Sequence, residues 1–263
     1  MWNSFYELGW RFFPEDKHMF EWANHAKRWV KKKLSKGQYT DSQLRCAGTW
    51  FVGVNFLENN SIGELGDVDF YSRPIMEVMT EFGNYVSGWD QGQVSICYPG
   101  YPKKMSDESE AAFKYRKQMF GAHVDGILPM GKNRRRYFKE AHAFVLGIPL
   151  SSFNKDAAPL VVWEKSHLIV RSMIWKKLKD FEVRTWSDID ITETYHEARR
   201  LVFRVCKPKI IWAPVGSGFI VHRHTLHGIK PWASGGVSED CGRMIAYFRP
   251  MFTKNEYWAS DQI

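Results

Sequence analysis

The sequence predicts a mainly β fold, an antiparallel sandwich or barrel flanked by amino-terminal helices. Six short extended runs, bounded by Gly, Pro, Asn or Asp, follow one another from residue 92 onward. Their order lacks the alternation with helices that a parallel βαβ sheet requires. A chain of 263 residues can bury a large core, so we expect one domain, residues 1–263, that folds without a disulfide or a structural metal.

Three segments have the apolar spacing of amphipathic helices. Residues 14–37 begin with acidic side chains and end with lysines before Gly37, charges that match the helix dipole. Residues 72–83 predict a shorter helix with Ser72 as its N-cap. Residues 190–206 predict a third helix, which begins with a pattern resembling a capping box.

The extended runs predict the strands of the sheet, because their β-branched and aromatic residues favour a pleated, partly buried surface. These runs are residues 92–98, 143–150, 159–163, 209–215, 218–224 and 243–248. From their positions we expect residues 1–90 to form a helical part that packs on the sheet. Residues 91–250 would then form the sheet core.

The cysteine pattern predicts a reducing, cytoplasmic environment. The four cysteines are far apart in sequence and include no C-x-x-C pair; they are Cys46, Cys97, Cys206 and Cys241. Acidic and basic residues interrupt the apolar residues at the amino terminus, so a signal peptide is not expected. No apolar run approaches the length of a membrane span.

The formal net charge of +8 predicts attraction to anions. Basic residues are bunched within residues 27–36, 132–136, 176–179 and 199–209. Two interpretations stay open: solvated helical faces, or a surface for an anionic partner. A nucleic acid is the alternative partner, although the 12 Trp are scattered and no RNA-binding signature accompanies them.

The stretch FGAHVDG, residues 120–126, contains a histidine and an aspartate two positions apart. In an extended segment such residues project to the same face, so His123 and Asp125 can aim a nitrogen and an oxygen at one point. Chance alone supplies about one such pair in this composition, so other ligands must support a metal site. Residues 221–232 offer three candidates, His222, His224 and His227.

The order of these motifs resembles the phytanoyl-CoA dioxygenase-like family of iron(II)/2-oxoglutarate oxygenases. H-x-D is followed by PLVVWEKSH, by GSGFIVHRHTLHG and by the arginine in GRMIAYFRP, so the resemblance spans about residues 93 to 250. It implies a double-stranded β-helix, the cupin-like jelly roll. It also implies Fe(II) as the metal, 2-oxoglutarate and O2 as co-substrates, and a hydroxylation that releases succinate and CO2.

The resemblance implies roles for particular residues. His123, Asp125 and His227 would hold the iron and carry catalysis, as a 2-His-1-carboxylate set that leaves three positions open. Arg243 would bind the distal carboxylate of 2-oxoglutarate through bidentate hydrogen bonds. Arg249 is the alternative, because Arg243 follows His227 by 16 residues, a longer gap than the family often has.

Further contacts are predicted around this site. His142 and Tyr98 are candidates for a hydrogen bond to the near carboxylate of 2-oxoglutarate. The basic loop that follows H-x-D could overhang the metal and attract an anionic substrate through Arg134, Arg135 and Arg136. The other interpretation of this loop is a solvated turn.

The predicted function is the hydroxylation of a small metabolite that is anionic or zwitterionic. Asp125 favours hydroxylation, because relatives that halogenate have a small residue in place of the carboxylate. Two alternatives remain: an oxygenase that acts on a nucleic acid or another macromolecule, and a jelly-roll protein that binds a metal without turnover. Substrate identity and oligomeric state do not follow from the sequence.

Overall fold

The structure is a computed structural model that describes residues 2–259. Its helices in this range are α1 Asn3–Leu8, α2 Lys17–Ser35, α3 Arg73–Phe82, α4 Glu110–Gln118, α5 Ser166–Leu178, α6 Thr192–Val205 and α7 Glu256–Ala259. The three predicted helices are confirmed as α2, α3 and α6. Asp16 caps α2 by accepting hydrogen bonds from the backbone N–H groups of His18 and Met19. Over the described range, every helix is too short or too polar to cross a membrane.

The strands include all six predicted runs. They are β1 Trp10–Phe13, β2 Leu44–Arg45, β3 Trp50–Gly53, β4 Gln93–Cys97, β5 Ile127–Met130, β6 Arg135–Phe138, β7 Phe144–Pro149, β8 Leu160–Trp163, β9 Pro208–Ile211, β10 Gly218–His222, β11 His227–Ile229 and β12 Arg243–Phe248. Every strand pair is antiparallel. The predicted mainly β, antiparallel architecture is therefore confirmed.

Two sheets face each other and a hairpin stands beside them. The large sheet has the strand order β1-β10-β7-β12-β4-β3-β2, and the small sheet has the order β11-β8-β9. Strands β5 and β6 pair only with each other. Neighbours in these orders are distant in sequence, which is the pattern of a sandwich with crossing connections rather than of a simple meander.

Strand β12 divides its side chains between two hydrophobic clusters. Met244, Ala246 and Phe248 join the cluster that contains the helices, where Phe248 lies 5.7 Å from the ring of Trp22 on α2. The alternate residues face the small sheet, so Ile245 packs with side chains from β8 and β9. The side chains of this inner face are the ones that can line a cavity between the sheets.

The segment before residue 90 contributes strands as well as helices. β1 pairs with β10 at one edge of the large sheet, and β2 and β3 extend the other edge beyond β4. The expectation of a purely helical part in residues 1–90 therefore needs correction. These strands have at most four residues, too few for alternation of apolar and polar residues to be recognised in the sequence.

Candidate metal centre

A short backbone contact brings together the two histidine-bearing segments. The N–H of His123 donates to the carbonyl of His227 at 2.8 Å, and the N–H of His227 donates to the carbonyl of His123 at 3.0 Å. This isolated antiparallel bridge joins the loop before β5 to the first residue of β11. Backbone pairing thus fixes the separation of two side chains that are remote in sequence.

The side chains of His123, Asp125 and His227 converge on one point. The Nε2 atom of His123 lies 3.2 Å from Oδ1 of Asp125, and the Nε2 atom of His227 lies 3.8 Å from the same oxygen. One ligand atom from each residue lies within 4.8 Å of the others, and no second group of this kind occurs in residues 2–259. This is the donor set, two imidazoles and one carboxylate, that suits a divalent transition metal.

Backbone carbonyls orient both imidazole rings. The Nδ1 atom of His123 lies 3.0 Å from the carbonyl of Gly121, and the Nδ1 atom of His227 lies 2.9 Å from the carbonyl of Thr225. A carbonyl can only accept, so each Nδ1 carries the proton and donates it. Each ring therefore turns its Nε2 atom toward Asp125, and Nε2 is the atom that remains for a metal.

The charges around the cluster keep Asp125 ionised. Burial raises the pKa of this carboxyl, but the hydrogen bond from His123 and the positive charge of His227 and Arg249 outweigh burial and hold the pKa well below its usual range. Burial lowers the pKa of His227, with His123 adding to the effect. Both shifts favour the forms that bind a metal, an ionised carboxylate and a neutral imidazole, at Asp125 and His227.

Two glycines allow these segments to approach their neighbours. A Cβ atom on Gly228 would lie 2.4 Å from the carbonyl oxygen of Phe120, and one on Gly126 would lie 2.1 Å from that of Glu140. Gly126 also has a φ of +80°, which side chains other than glycine rarely adopt. The second glycine of FGAHVDG and the glycine of the later H-G pair are therefore required by the close packing at the site.

Tyrosine side chains on α4 and α6 form hydrogen bonds with the backbone of the H-x-D loop. Tyr195 on α6, which is buried, accepts a hydrogen bond of 3.2 Å from the N–H of Val124, the residue between the two candidate ligands. Tyr115 on α4 donates to the carbonyl of Ala122 at 2.8 Å. Both contacts restrain backbone atoms next to the ligands rather than the ligands themselves.

The substitution Tyr195→Phe is expected to weaken metal binding about tenfold. Residues that orient a metal ligand without binding the metal themselves typically contribute 10–100-fold to metal affinity. The ring remains, but the N–H of Val124 loses its acceptor. Calorimetric titration with Ni(II) measures the change. Tyr85→Phe is the control, since Tyr85 packs against Tyr257 away from the loop. An equal loss of affinity in both variants would contradict the restraining role.

A cavity of about 360 Å³ opens beside the three converging side chains. Its walls combine inner-face residues of the large sheet with residues of β8 and β11 of the small sheet. Arg249 lies in this wall; its Nη1 atom is 3.8 Å from Oδ2 of Asp125, and its Nη2 donates to Oε1 of Gln93 at 2.9 Å. The cavity has the size and mixed lining of a small-molecule site.

Arg243 is a fully buried guanidinium on the inner face of β12. Its Nη2 atom donates to the sulfur of Cys97 at 3.2 Å, while Nε and Nη1 have no hydrogen-bond partner among the described residues. Buried donors without an acceptor are costly, by about 1–3 kcal/mol each. Two such donors on one guanidinium match the two oxygens of a carboxylate.

None of the predicted co-substrate contacts Arg243, His142 and Tyr98 is among the residues that line the cavity. His142 is buried, with Nδ1 2.8 Å from the carbonyl of Arg249 and Nε2 3.0 Å from the carboxylate of Glu140. Both ring nitrogens are thus already engaged. Tyr98, just after β4, also lies outside the lining.

The predicted overhang of the basic loop over the cluster is not found, since none of its three arginines lines the cavity. Hairpin β5–β6 carries Arg135 to α6, where it forms ion pairs with Asp190 at 2.6 Å and Glu193 at 3.2 Å. Arg136 lies 5.8 Å from the ring centroid of Tyr195. Arg134 is exposed at the hairpin turn. Asp190, just before α6, and Glu193, on α6, thus pair with the charge of Arg135.

His222 and His224 do not join His227 at the cluster. They are buried beside His167, whose ring centroid lies 4.8 Å from that of His222. Burial lowers the pKa of His167 to about 4 and holds the pKa values of His222 and His224 well below the ordinary value. Of the three candidate histidines, His227 is the one that reaches the cluster, and His222 and His224 are neutral core residues.

These buried histidines predict acid sensitivity of the fold. Below a pH of about 6.5 each takes up a proton in the unfolded chain but stays neutral in the folded one, so stability falls as the pH drops from about 6.5 toward 4. Each site contributes a slope of about 1.4 kcal/mol per pH unit. Urea unfolding of His167→Gln across this window should have a shallower pH slope than wild type. Equal pH slopes in His167→Gln and wild type would contradict the prediction.

Comparison with known proteins supports the fold. No protein-family model and no curated protein sequence matches the chain. The chain is similar to the solved structure of a non-heme alpha ketoglutarate dependent carbocyclase, SnoK, from nogalamycin biosynthesis, with a TM-score of 0.54 and 11% identity over 95% of this chain and 81% of that one. It is also similar to the non-heme alpha ketoglutarate dependent epimerase SnoN, from the same biosynthesis, with a TM-score of 0.53 and 10% identity over 94% and 78% of the respective chains.

At such low identity these similarities establish the fold alone. The chain has the jelly-roll architecture that these structures share, and the predicted fold class is confirmed at this level. Membership in the phytanoyl-CoA dioxygenase-like family stays a prediction. The site must therefore be argued from its own residues.

Proposed function

We propose that this protein is an iron(II)/2-oxoglutarate-dependent oxygenase that hydroxylates a small molecule and releases succinate and CO2. One observation carries the proposal: two imidazoles and one carboxylate converge beside a cavity of about 360 Å³. Support comes from the two similar folds, whose descriptions name alpha ketoglutarate dependent enzymes.

The donor set fits Fe(II). Three protein ligands on one side of the ion leave three positions for a chelating keto acid and O2. Asp125 is ionised, and each histidine engages a backbone carbonyl through Nδ1, so that Nε2 is the atom that would bind the metal. When bound, Fe(II) would supply the chemistry that couples oxidative decarboxylation of 2-oxoglutarate to oxidation of the substrate.

The arginines fit two separate tasks. Arg243 offers Nε and Nη1 to the distal carboxylate of 2-oxoglutarate, because these buried donors have no acceptor among residues 2–259. Arg249 lies at the opposite end of β12, 3.8 Å from Asp125. From there it can orient a carboxylate that chelates the metal, and as a residue of the cavity lining it stays the alternative anchor for 2-oxoglutarate.

Hydroxylation is the reaction that we propose, although the similar structures are described as a carbocyclase and an epimerase. Hydroxylation adds an oxygen atom to the substrate, epimerisation leaves its mass unchanged, and an oxidative cyclisation removes two hydrogens. Mass spectrometry of products from a panel of small anionic and zwitterionic substrates distinguishes these outcomes.

We further propose a single domain in the cytoplasm, which agrees with the free thiols of Cys46, Cys97 and Cys206.

The decisive test is incubation with Fe(II), ascorbate and 2-oxoglutarate labelled at its first carbon. An oxygenase of this class is expected to release labelled CO2 slowly even without its substrate. Omission of Fe(II), or its replacement by Ni(II), should abolish the release. A protein that only holds a metal would bind Fe(II) yet release no CO2 under any condition, and that result would reject the enzymatic proposal.

A further inference from the structure

We propose that Arg45 forms a substrate site in the same cavity, which recognises an anionic group at the far end of an elongated, largely apolar substrate. This inference rests on the proposed function, because it assigns the remaining cavity space to the molecule that is oxidised. Arg45 is not one of the residues that the motifs predict as metal ligands or as contacts of 2-oxoglutarate.

Arg45 is held at the cavity wall by Trp50. The two residues are direct partners in the β2–β3 pair, and the guanidinium carbon lies 5.7 Å from the centroid of the Trp50 ring. Both residues line the cavity. Stacking on an aromatic face orients a guanidinium while leaving its N–H groups free for an anion.

Among the described residues, Arg45 has no acidic partner. No carboxylate of residues 2–259 lies within 4.0 Å of its side-chain nitrogens, although ion pairs occupy many other basic residues of the chain. The other arginine of the cavity, Arg249, already contacts Asp125 and Gln93. Arg45 is therefore the guanidinium in this lining whose charge is left for a ligand.

The acidic residues of the lining are committed elsewhere. Asp125 belongs to the candidate metal cluster, and Glu140 contacts the imidazole of His142 at 3.0 Å. The Arg45 end of the cavity therefore has a positive potential that favours a carboxylate or a phosphate over an amine.

The strand register sets the distance between Arg45 and the metal cluster. Gln93, which accepts from Arg249, begins β4, and Cys97, four residues later, lies opposite Trp50 in the same row as Arg45. Four residues of extended chain span about 13 Å, and β2 lies two strand spacings, about 10 Å, to the side of β4. The two ends of the cavity are thus separated by roughly the length of a medium-sized molecule.

The wall between the two ends is mostly apolar. Its aliphatic side chains are Val52, Val54, Leu128, Val145, Leu160, Val221 and Ile229. Such a lining favours a hydrocarbon body, while the cavity volume of about 360 Å³ restricts the ligand to a small molecule. The inferred substrate carries its reacting carbon near the metal cluster and its anionic group at Arg45.

Octanoate and octylamine are suitable probes, because they share an apolar chain and differ in the sign of the terminal charge. Calorimetric titration into the full chain, both metal-free and loaded with Ni(II) and 2-oxoglutarate, compares their affinities. We expect octanoate to bind at least about tenfold more tightly than octylamine. Arg45→Gln should reduce this preference about tenfold, and Arg45→Lys should retain part of it.

Arg134→Gln is the matched control, because it removes one exposed arginine outside the cavity and changes the net charge equally. It should leave the preference for octanoate unchanged. An equal effect of Arg45→Gln and Arg134→Gln, or no effect of either, would overturn the proposal. So would a loss of 2-oxoglutarate affinity in Arg45→Gln, because Arg45 would then anchor the co-substrate instead.

The metal-free titration separates this inference from the proposed function. If the protein binds neither Ni(II) nor 2-oxoglutarate but still prefers octanoate through Arg45, the oxygenase proposal fails and the anion site stands. If it binds Ni(II) and 2-oxoglutarate but treats octanoate and octylamine alike, the anion site fails and the oxygenase proposal stands.

Discussion

Asp125→Asn is expected to abolish 2-oxoglutarate-dependent CO2 release and to weaken Ni(II) binding at least about 100-fold, since even partners behind a ligand contribute 10–100-fold. The amide keeps the shape of the side chain but loses the negative charge that faces both Nε2 atoms, at 3.2 Å from His123 and 3.8 Å from His227. Calorimetry measures the metal affinity, and labelled 2-oxoglutarate measures the CO2 release.

Glu140→Gln is the control for this substitution. Glu140 lines the same cavity, and the change removes one negative charge, but its carboxylate contacts His142 rather than the histidine pair of the cluster. Its Ni(II) affinity should stay within about threefold of wild type, as for a charge partly screened by solvent. If both variants lost affinity equally, a general electrostatic effect of the cavity would replace coordination by Asp125 as the explanation.

The sequence is informative about the candidate ligands because their chemistry leaves a local pattern. An imidazole and a carboxylate two positions apart can share a face only in extended chain, and the glycines around them record the close backbone packing that the structure has at Gly126 and Gly228. The long strands β7, β10 and β12 were equally accessible to sequence reasoning, because their buried residues form continuous apolar runs.

Other parts of the site depend on strand pairs and ion pairs between segments that are distant in sequence. Such pairs cannot be predicted from a single sequence. Arg45 reaches the cavity because β2 is the edge strand beyond β3 and β4, and a two-residue strand carries no periodicity. Arg135 is turned away by Asp190 and Glu193, which lie more than 50 residues later in the chain. Sequence proximity to H-x-D therefore gave a misleading position for the basic loop.

Helix α5 illustrates a second limit. Its sequence, SHLIVRSMIWKKL, has apolar residues on every side, and the structure leaves Leu168 and Trp175 exposed while Val170 and Ile174 are buried. Without a polar face opposite an apolar one, the helical period gives no signal. Because apolar residues occur all around this helix, two of them, Leu168 and Trp175, lie at the surface beside its charged residues.

Arg243→Gln is expected to raise the dissociation constant of 2-oxoglutarate about 100-fold while changing Ni(II) affinity less than threefold. The loss of bidentate hydrogen bonds to a carboxylate costs about 2–3 kcal/mol. The donors for such a pair would be Nε and Nη1 of Arg243. Calorimetric titration of the Ni(II)-loaded protein measures the co-substrate affinity. Thermal unfolding of the same sample checks that the buried substitution leaves the fold intact.

Arg249→Gln is the variant that separates the two arginines of β12. Because Arg249 lies 3.8 Å from Asp125 and contacts Gln93, its loss should alter metal and 2-oxoglutarate binding together. Arg243, at the other end of the strand and fully buried, should affect the co-substrate alone. The reverse pattern, a selective loss of 2-oxoglutarate binding in Arg249→Gln and a joint loss in Arg243→Gln, would exchange the two roles. Arg243→Lys adds the geometric criterion, since a charge without the planar guanidinium should recover only a small part of the lost affinity.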